Sequence, residues 1–347
     1  MPKVFLGMSG GVDSSVSAIL LKEQGYDVTG IYMKNWSKDL PGMKCPWAED
    51  LADAKRVAVH LDLDFEVWDF EEDYKKRVVD YMLAEFQKGR TPNPDIMCNE
   101  QIKFKLFYER AMASGADFIA TGHYARVSDA QLLRAKDENK DQTYFLYRMS
   151  DEATAQTIFP VGDMLKPEVK ALAEKHGLDV AHKKESMGVC FVGEVGMKDF
   201  LREYLDTKPG EIRELETNEV LGYHDGAIFY TIGQRHGLYL GGGLPYYVVQ
   251  KDLAQNIVYV SRNLNAESLW TQTLLLEDLK LRGNLTETEL AQNPNLKVRF
   301  RHRAPLVSAN YKDGQVIFDQ AIKRPAAGQS LVFYDEEVCL GGGIIAE

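Results

Sequence analysis

The ten residues Gly7 to Val16, GMSGGVDSSV, have the side chains and spacing to hold a polyphosphate. Gly10 and Gly11 let the backbone turn sharply and approach a ligand closely. Free N–H groups at the start of a following helix, helped by its dipole, bind an anion such as pyrophosphate. Ser9, Ser14 and Ser15 add hydroxyl donors. Neither G-x-x-x-x-G-K-[ST] nor G-x-G-x-x-G is present, so this is neither a Walker A loop nor a dinucleotide fingerprint. A plain glycine turn capped by Asp13 or Ser14 is the competing reading.

Thiol chemistry is the second candidate. Cys98 lies in Thr91-Pro92-Asn93-Pro94-Asp95-Ile96-Met97-Cys98-Asn99. The two prolines predict no helix until after this segment. A helix starting near Gln101 then puts the thiol near its N-terminus, which favours a thiolate. The polar surroundings and nearby Asp95 argue against Cys98 being a small buried hydrophobe. Cys190 sits among Val189, Phe191 and Val192, and its residues alone leave both readings open. Cys339, in Val338-Cys339-Leu340, reads as a buried hydrophobe. Cys45 is undecided. Cysteines spread this widely make no secreted disulfide framework, so a reducing cytoplasm is expected.

The elements that must position these groups follow from periodicity. Val4-Phe5-Leu6 reads as a buried strand before the glycine loop, and Ser14 to Gln24 as an amphipathic helix. Val28 to Met33 and Phe65 to Trp68 are further strands. Ala48 to Leu61, Glu72 to Lys88 and Gln101 to Ser114 are helices, the last leading into a strand at Asp117 to Thr121. This alternation predicts an α/β domain, a parallel sheet with helices on both faces. Ligands in such sheets sit at the carboxyl ends of strands, so loops after Leu6, Met33 and Thr121 are expected to meet. After Lys208-Pro209-Gly210 the texture changes to short runs such as Ala227 to Ile232 and Tyr246 to Gln250. From about Leu269 longer strands between turns such as Asp313-Gly314 and Ala327-Gly328 suggest a small β-barrel. The expected domains are 1–207, 208–268 and 269–347.

The formal net charge of −11 is unfavourable for a nucleic-acid partner unless a local basic face exists. Arg299, Arg301 and Arg303 would share one face of a strand. Lys183-Lys184 and Lys323-Arg324 read as solvated. No apolar run approaches a membrane span, and Met1-Pro2-Lys3 enters the first strand without a signal peptide.

Ser9-Gly10-Gly11-Val12-Asp13-Ser14 resembles the S-G-G-x-D-S pyrophosphate loop of the ATP-pyrophosphatase (PP-loop) superfamily. GMSGGVDSSV, TPNPDIMCN, TGHYAR at Thr121 to Arg126, KDQTYFLY at Lys140 to Tyr147 and GVCFVG ending at Gly193 follow the motif order of bacterial tRNA-specific 2-thiouridylases. GQRHGL at Gly233 to Leu238 and VRFRHR at Val298 to Arg303 resemble that family's central and C-terminal domains. The resemblance runs nearly end to end. It implies an N-terminal adenine-nucleotide α-hydrolase-like domain, a small central domain that contacts tRNA and a tRNA-binding C-terminal β-barrel.

It also implies an activity, ATP-dependent 2-thiolation of the wobble uridine (U34) in tRNAs for Lys, Glu and Gln. ATP, with Mg²⁺ on its phosphates, would sit on Gly7, Met8, Ser9, Gly10, Gly11, Val12, Asp13 and Ser14, with adenine against backbone at Met33 and Gly122. Uracil O2 would be adenylated. Cys190 would carry a persulfide from a cysteine desulfurase or a relay protein, and Cys98 would release its sulfur, leaving a transient Cys98–Cys190 disulfide. Asp95 is the implied acid/base, with Asn93 and Pro94 shaping the base pocket. His123, Lys140, Asp141, Gln142, Arg299, Phe300, Arg301 and Gln329 are the implied tRNA contacts. Met187 departs from the family's pattern, which has a small polar residue there, often Thr. The rivals are an amide-forming PP-loop synthetase and a non-catalytic RNA-binding module. An iron–sulfur sulfurtransferase would want clustered cysteines, and no C-x-x-C occurs.

Overall fold

The computed structural model describes residues 1–39, 45–183, 196–241 and 243–346. The N-terminal domain is built on five parallel strands. They run β1 (Lys3–Gly7), β2 (Asp27–Lys34), β3 (Asp64–Asp69), β4 (Phe118–Thr121) and a short last strand, Thr157–Ile158. Their order across the sheet is β3, β2, β1, β4 and then Thr157–Ile158. Period-two alternation layers this sheet: Phe5 and Ile31 enter one core, Val4 and Leu6 the other. The chain runs outward from β1 to β3, then returns to the other side of β1 with β4. The strand order therefore reverses at β1, and a crevice opens at the carboxyl ends there.

Helix α1 (Val12–Glu23) and helix α2 (Trp47–His60) cover the sheet within a residue or two of their expected bounds. The segment expected as one helix over Glu72 to Lys88 runs from Glu71 to Gln87 with a wider π-type turn at Lys75–Val79. The helix expected from Gln101 begins earlier, at Pro94, and continues through π-type turns at Asn99–Phe107 to Ala113. Pro94 takes the first helical position, where its missing N–H costs nothing, and Asn93 caps the helix by accepting from Ile96 N. Cys98 thus lies within a helix, not ahead of one, and, against the reading of its polar neighbours, it is buried at 5% exposure in the hydrophobic core beside Ile96 and Ile102.

A four-stranded sheet follows, ordered Tyr247–Asp252, Ile257–Ser261, Gly210–Glu214, Val220–His224, with Val248, Val258, Val260 and Ile212 in its core. Ala227 to Phe229, within a run that reads as extended, is a single 3₁₀ turn. The last domain is an antiparallel sheet whose end strands, Val307–Ser308 and Asn310–Lys312, are separated by Ala309 alone, so it curls into a near-closed barrel. The N-terminal domain adds to it: the hairpin Arg126–Ser128 and Gln131–Leu133 pairs with the barrel strand Val338–Ile345, Leu133 opposite Val338. One hydrophobic core also spans the two domains, with Tyr144 and Tyr147 packed beside Val332, Tyr334 and Cys339. Among the described residues no helix is long and apolar enough to cross a membrane.

Candidate active site

The loops after β1, β2 and β4 converge as their strand order requires. Gly10 has φ +74°, and a Cβ there would lie 2.3 Å from Asp50 O. Gly11 begins α1 with no side-chain cap, leaving the helix N-terminus open. Gly122 is pressed against that terminus; a Cβ on it would meet Ser14 N at 2.6 Å. A Cβ on Gly7 would meet Met33 Cε at 2.8 Å. Ser14 and Ser15 are buried, and both hydroxyls donate to Gly11 O, at 3.0 and 2.9 Å. They therefore tie the loop to its helix, and Ser9 is the exposed hydroxyl of the three.

Two partners hold Asp13 from afar. Lys166 Nζ lies 2.6 Å from its Oδ1, and the Tyr124 hydroxyl donates to the same oxygen at 3.0 Å. Lys183, expected to be solvated, is also committed: its Nζ reaches Asp50 Oδ1 at 2.7 Å and Asp53 Oδ2 at 2.5 Å, and Gly10 O at 3.4 Å. Burial lowers its pKa, but the hydrogen bonds to Asp50 and Asp53 outweigh that and leave it raised.

A cleft of about 520 Å³ joins this loop to the Asn93–Cys98 turn; Met33, Asp95, Cys98, His123, Lys140 and Gln142 line it. Burial pushes the Asp95 carboxyl up, with Lys103 opposing. His123 is driven well down by burial and then by the Lys103 charge, so its ring is neutral at pH 7. Its Nδ1 meets Thr121 Oγ1 at 2.8 Å and its Nε2 meets Lys103 Nζ at 3.4 Å. Because an ammonium only donates, the ring proton belongs on Nδ1. Lys103 escaped the sequence reading; one helix turn beyond Asn99, it carries no local signal of its role.

Among the described residues Cys45, Cys98 and Cys339 are free thiols. Cys45 also lines the cleft, but burial raises its thiol, so it is no thiolate by environment. Cys339 is sealed in the core and pushed up to about 11. Cys190 and Met187 lie outside the described residues.

The arginine stripe does not form. The strand ends at Arg299, and Arg303 sits in the left-handed region at φ +63°, so the three side chains diverge. Arg299 is 4% exposed and donates to Asp141 Oδ2 at 2.8 Å; Asp141, 1% exposed, also accepts from Thr143 Oγ1 at 2.8 Å. Their side chains tie the barrel to the catalytic domain and are not surface contacts for RNA. Arg301 and Arg303 remain exposed, and Arg303 reaches the cleft. Gln329 Nε2 donates to Thr91 O at 2.6 Å, and Thr91 N to Ala327 O at 2.8 Å, so the barrel grips the loop that leads into the helix carrying Asp95.

A parallel-sheet phosphate-loop domain, followed by a small β-domain and a β-barrel whose His302 and Arg303 line its cleft, defines a HUP-type nucleotide-binding protein. Three family models cover the chain: a tRNA methyl transferase HUP domain over residues 2–194, a tRNA methyl transferase PRC-barrel domain over 198–262 and an aminomethyltransferase beta-barrel domain over 271–345. The tRNA-specific 2-thiouridylase MnmA of Listeria monocytogenes serotype 4a is 46% identical over 99% of this chain and 94% of its own length. The enzymes of the same name from Idiomarina loihiensis and Streptococcus sanguinis are 46% and 45% identical, over 99% of this chain and 96% and 95% of theirs. The chain belongs to the tRNA-specific 2-thiouridylase family.

Proposed function

We propose that this protein is an ATP-dependent tRNA-uridine 2-sulfurtransferase acting on U34 of tRNAs for Lys, Glu and Gln. The observation that carries the reading is one cleft holding both the open N-terminus of α1 and the Asp95–Cys98 turn. ATP phosphates fit the Ser9–Ser14 loop, where N–H groups stabilise the departing pyrophosphate. Mg²⁺ would arrive on the phosphates of the nucleotide. Met33 and Gly122 flank the place for adenine. Uracil O2 attacks the α-phosphorus, and pyrophosphate leaves.

Cys190 carries a persulfide loaded by a cysteine desulfurase or a relay protein. The Cys98 thiolate attacks the Cys190 sulfur, forming the Cys98–Cys190 disulfide and expelling hydrosulfide. Hydrosulfide adds at C2, and AMP departs with the former O2; a cellular dithiol then reduces the disulfide. Asp95 is suited to proton transfer beside the base because burial raises its carboxyl. Asn93 and Pro94 shape the pocket by starting the helix. Lys140, Gln142, His123 and Arg301 are the proposed tRNA contacts, and Gln329 acts through the Thr91 loop.

Incubation with ATP, Mg²⁺, a persulfide source and unmodified tRNA tests this. AMP, pyrophosphate and 2-thiouridine are expected together. AMP without thiolation would point to another PP-loop ligase, and no ATP cleavage to an RNA-binding module.

A further inference from the structure

Resting on that reading of the cleft, the structure also bears on how uracil is told from cytosine. Asn99 and His302 both line the cleft, and Asn99 Oδ1 and His302 Nδ1 are buried and have no hydrogen-bond partner. A buried polar atom left unpaired is costly, and one on a side chain that lines a binding cleft calls for a ligand. Asn99 is 4% exposed, and its Nδ2 donates to Phe145 O at 3.1 Å. A carbonyl only accepts, so the amide cannot be turned round and Oδ1 is a fixed acceptor. The Phe145 ring packs on the His302 imidazole with centroids 4.7 Å apart. Phe145 therefore positions both, Asn99 by its backbone and His302 by its ring. The left-handed Arg303 turns the chain just after His302. Burial, then the Arg303 and Arg299 charges, hold His302 near a pKa of about 4, so the ring is neutral and carries one N–H.

We propose that Asn99 Oδ1 accepts the N3–H of the target uracil while His302 Nδ1 donates to its O4. Cytosine offers a lone pair at N3 and an amine at C4, so it would set acceptor against acceptor and donor against donor. His302 can shift its proton between nitrogens, whereas Asn99 cannot reverse. Discrimination therefore rests chiefly on Asn99. The two groups come from different domains, so the base is read only when the barrel is docked.

The test is a set of cycles between protein and base. Anticodon stem-loops carry uridine, N3-methyluridine or 4-thiouridine at the target position, and the dissociation constant of each is measured with wild type, Asn99→Ala and His302→Ala, with AMP release followed on the unmodified stem-loop alone. In wild type, N3-methylation should cost at least roughly ten-fold. Asn99→Ala should lose a similar factor on uridine and become nearly indifferent to the N3-methyl group. His302→Ala should in the same way become indifferent to sulfur at position 4. Since Asn99 is buried, Asn99→Ser provides a milder second variant, and the His302 cycle stands apart from it. Simple multiplication of the single effects in both cycles would overturn the proposal. Wild type releasing no AMP with the unmodified stem-loop would instead sink the functional reading beneath it.

Discussion

Asp141 and Arg299 lie 158 residues apart in the chain and meet at 2.8 Å in a pair almost sealed from water. Removing Arg299 leaves the buried Asp141 with Arg134, 3.4 Å away, as a cationic partner, at a cost of up to about 3–5 kcal/mol. Arg299→Ala should therefore lower the denaturation midpoint markedly. Arg301→Ala should leave it nearly unchanged, yet flatten the salt dependence of tRNA binding by roughly 0.7–0.9 units of log–log slope. Filter binding at several salt concentrations and urea unfolding of both variants check this. An unfolding midpoint at wild-type level in Arg299→Ala would refute the tie.

Gly122→Ala places a methyl group against Ser14 N, a backbone atom that cannot step aside. The β4 loop must then back away from the start of α1. ATP binding should weaken about ten-fold or more while tRNA affinity holds. Calorimetric titration of each ligand separates the two effects, and equal losses for both would argue for general misfolding.

The cysteines divide by role. Cys190→Ser should no longer take up labelled sulfur but should still cleave ATP, since adenylation needs no thiol. Cys98→Ser should load sulfur at Cys190 and then fail to turn over. Disulfide formation requires Cα atoms within about 7 Å. Mass spectrometry after turnover without reductant should find the Cys98–Cys190 crosslink; a Cys98→Ser enzyme thiolating at the normal rate would make Cys98 structural.

His302 titrates near 4 in the folded protein against an ordinary 6.5. Between those values the unfolded chain binds the proton and the folded chain does not. Stability from this group is therefore complete above about 6.5 and falls as the pH drops toward 4. His302→Gln should flatten part of that acid limb, leaving the same-signed share of His123, which is also lowered. Urea unfolding at steps from pH 7 to pH 4 measures it. An acid limb in His302→Gln as steep as in wild type would contradict the assignment.

What the sequence disclosed was mostly what is local. Val4 to Val16 is strand, turn and helix without interruption, so its pattern and its chemistry could be read together. The Asn93-Pro94 pair held a usable signal that the proline count obscured: an Asn cap before a Pro at the first helical position opens a helix. Arg299, Arg301 and Arg303 misled because period two implies a shared face only while the strand lasts, and it ends at Arg299. The partners of Asp13, Lys166 and Tyr124, lie 153 and 111 residues away and leave no trace in its neighbourhood. Lys183 looked solvated because its carboxylates sit on α2, far back in the chain.

The hairpin that the catalytic domain lends to the barrel also sets an order of events during synthesis. Arg126 and Glu337, which pair across that junction at 2.8 Å, are separated by 211 residues. At ordinary translation rates the hairpin leaves the ribosome roughly 10–40 s before the strand it needs. Through that interval its edge is open, and the Thr91 loop lacks the grip of Gln329. A nascent chain therefore holds its phosphate loop early but completes its base pocket late. Truncated translation products would be exposed edges rather than idle consumers of ATP, a state that chaperones recognise and proteases clear.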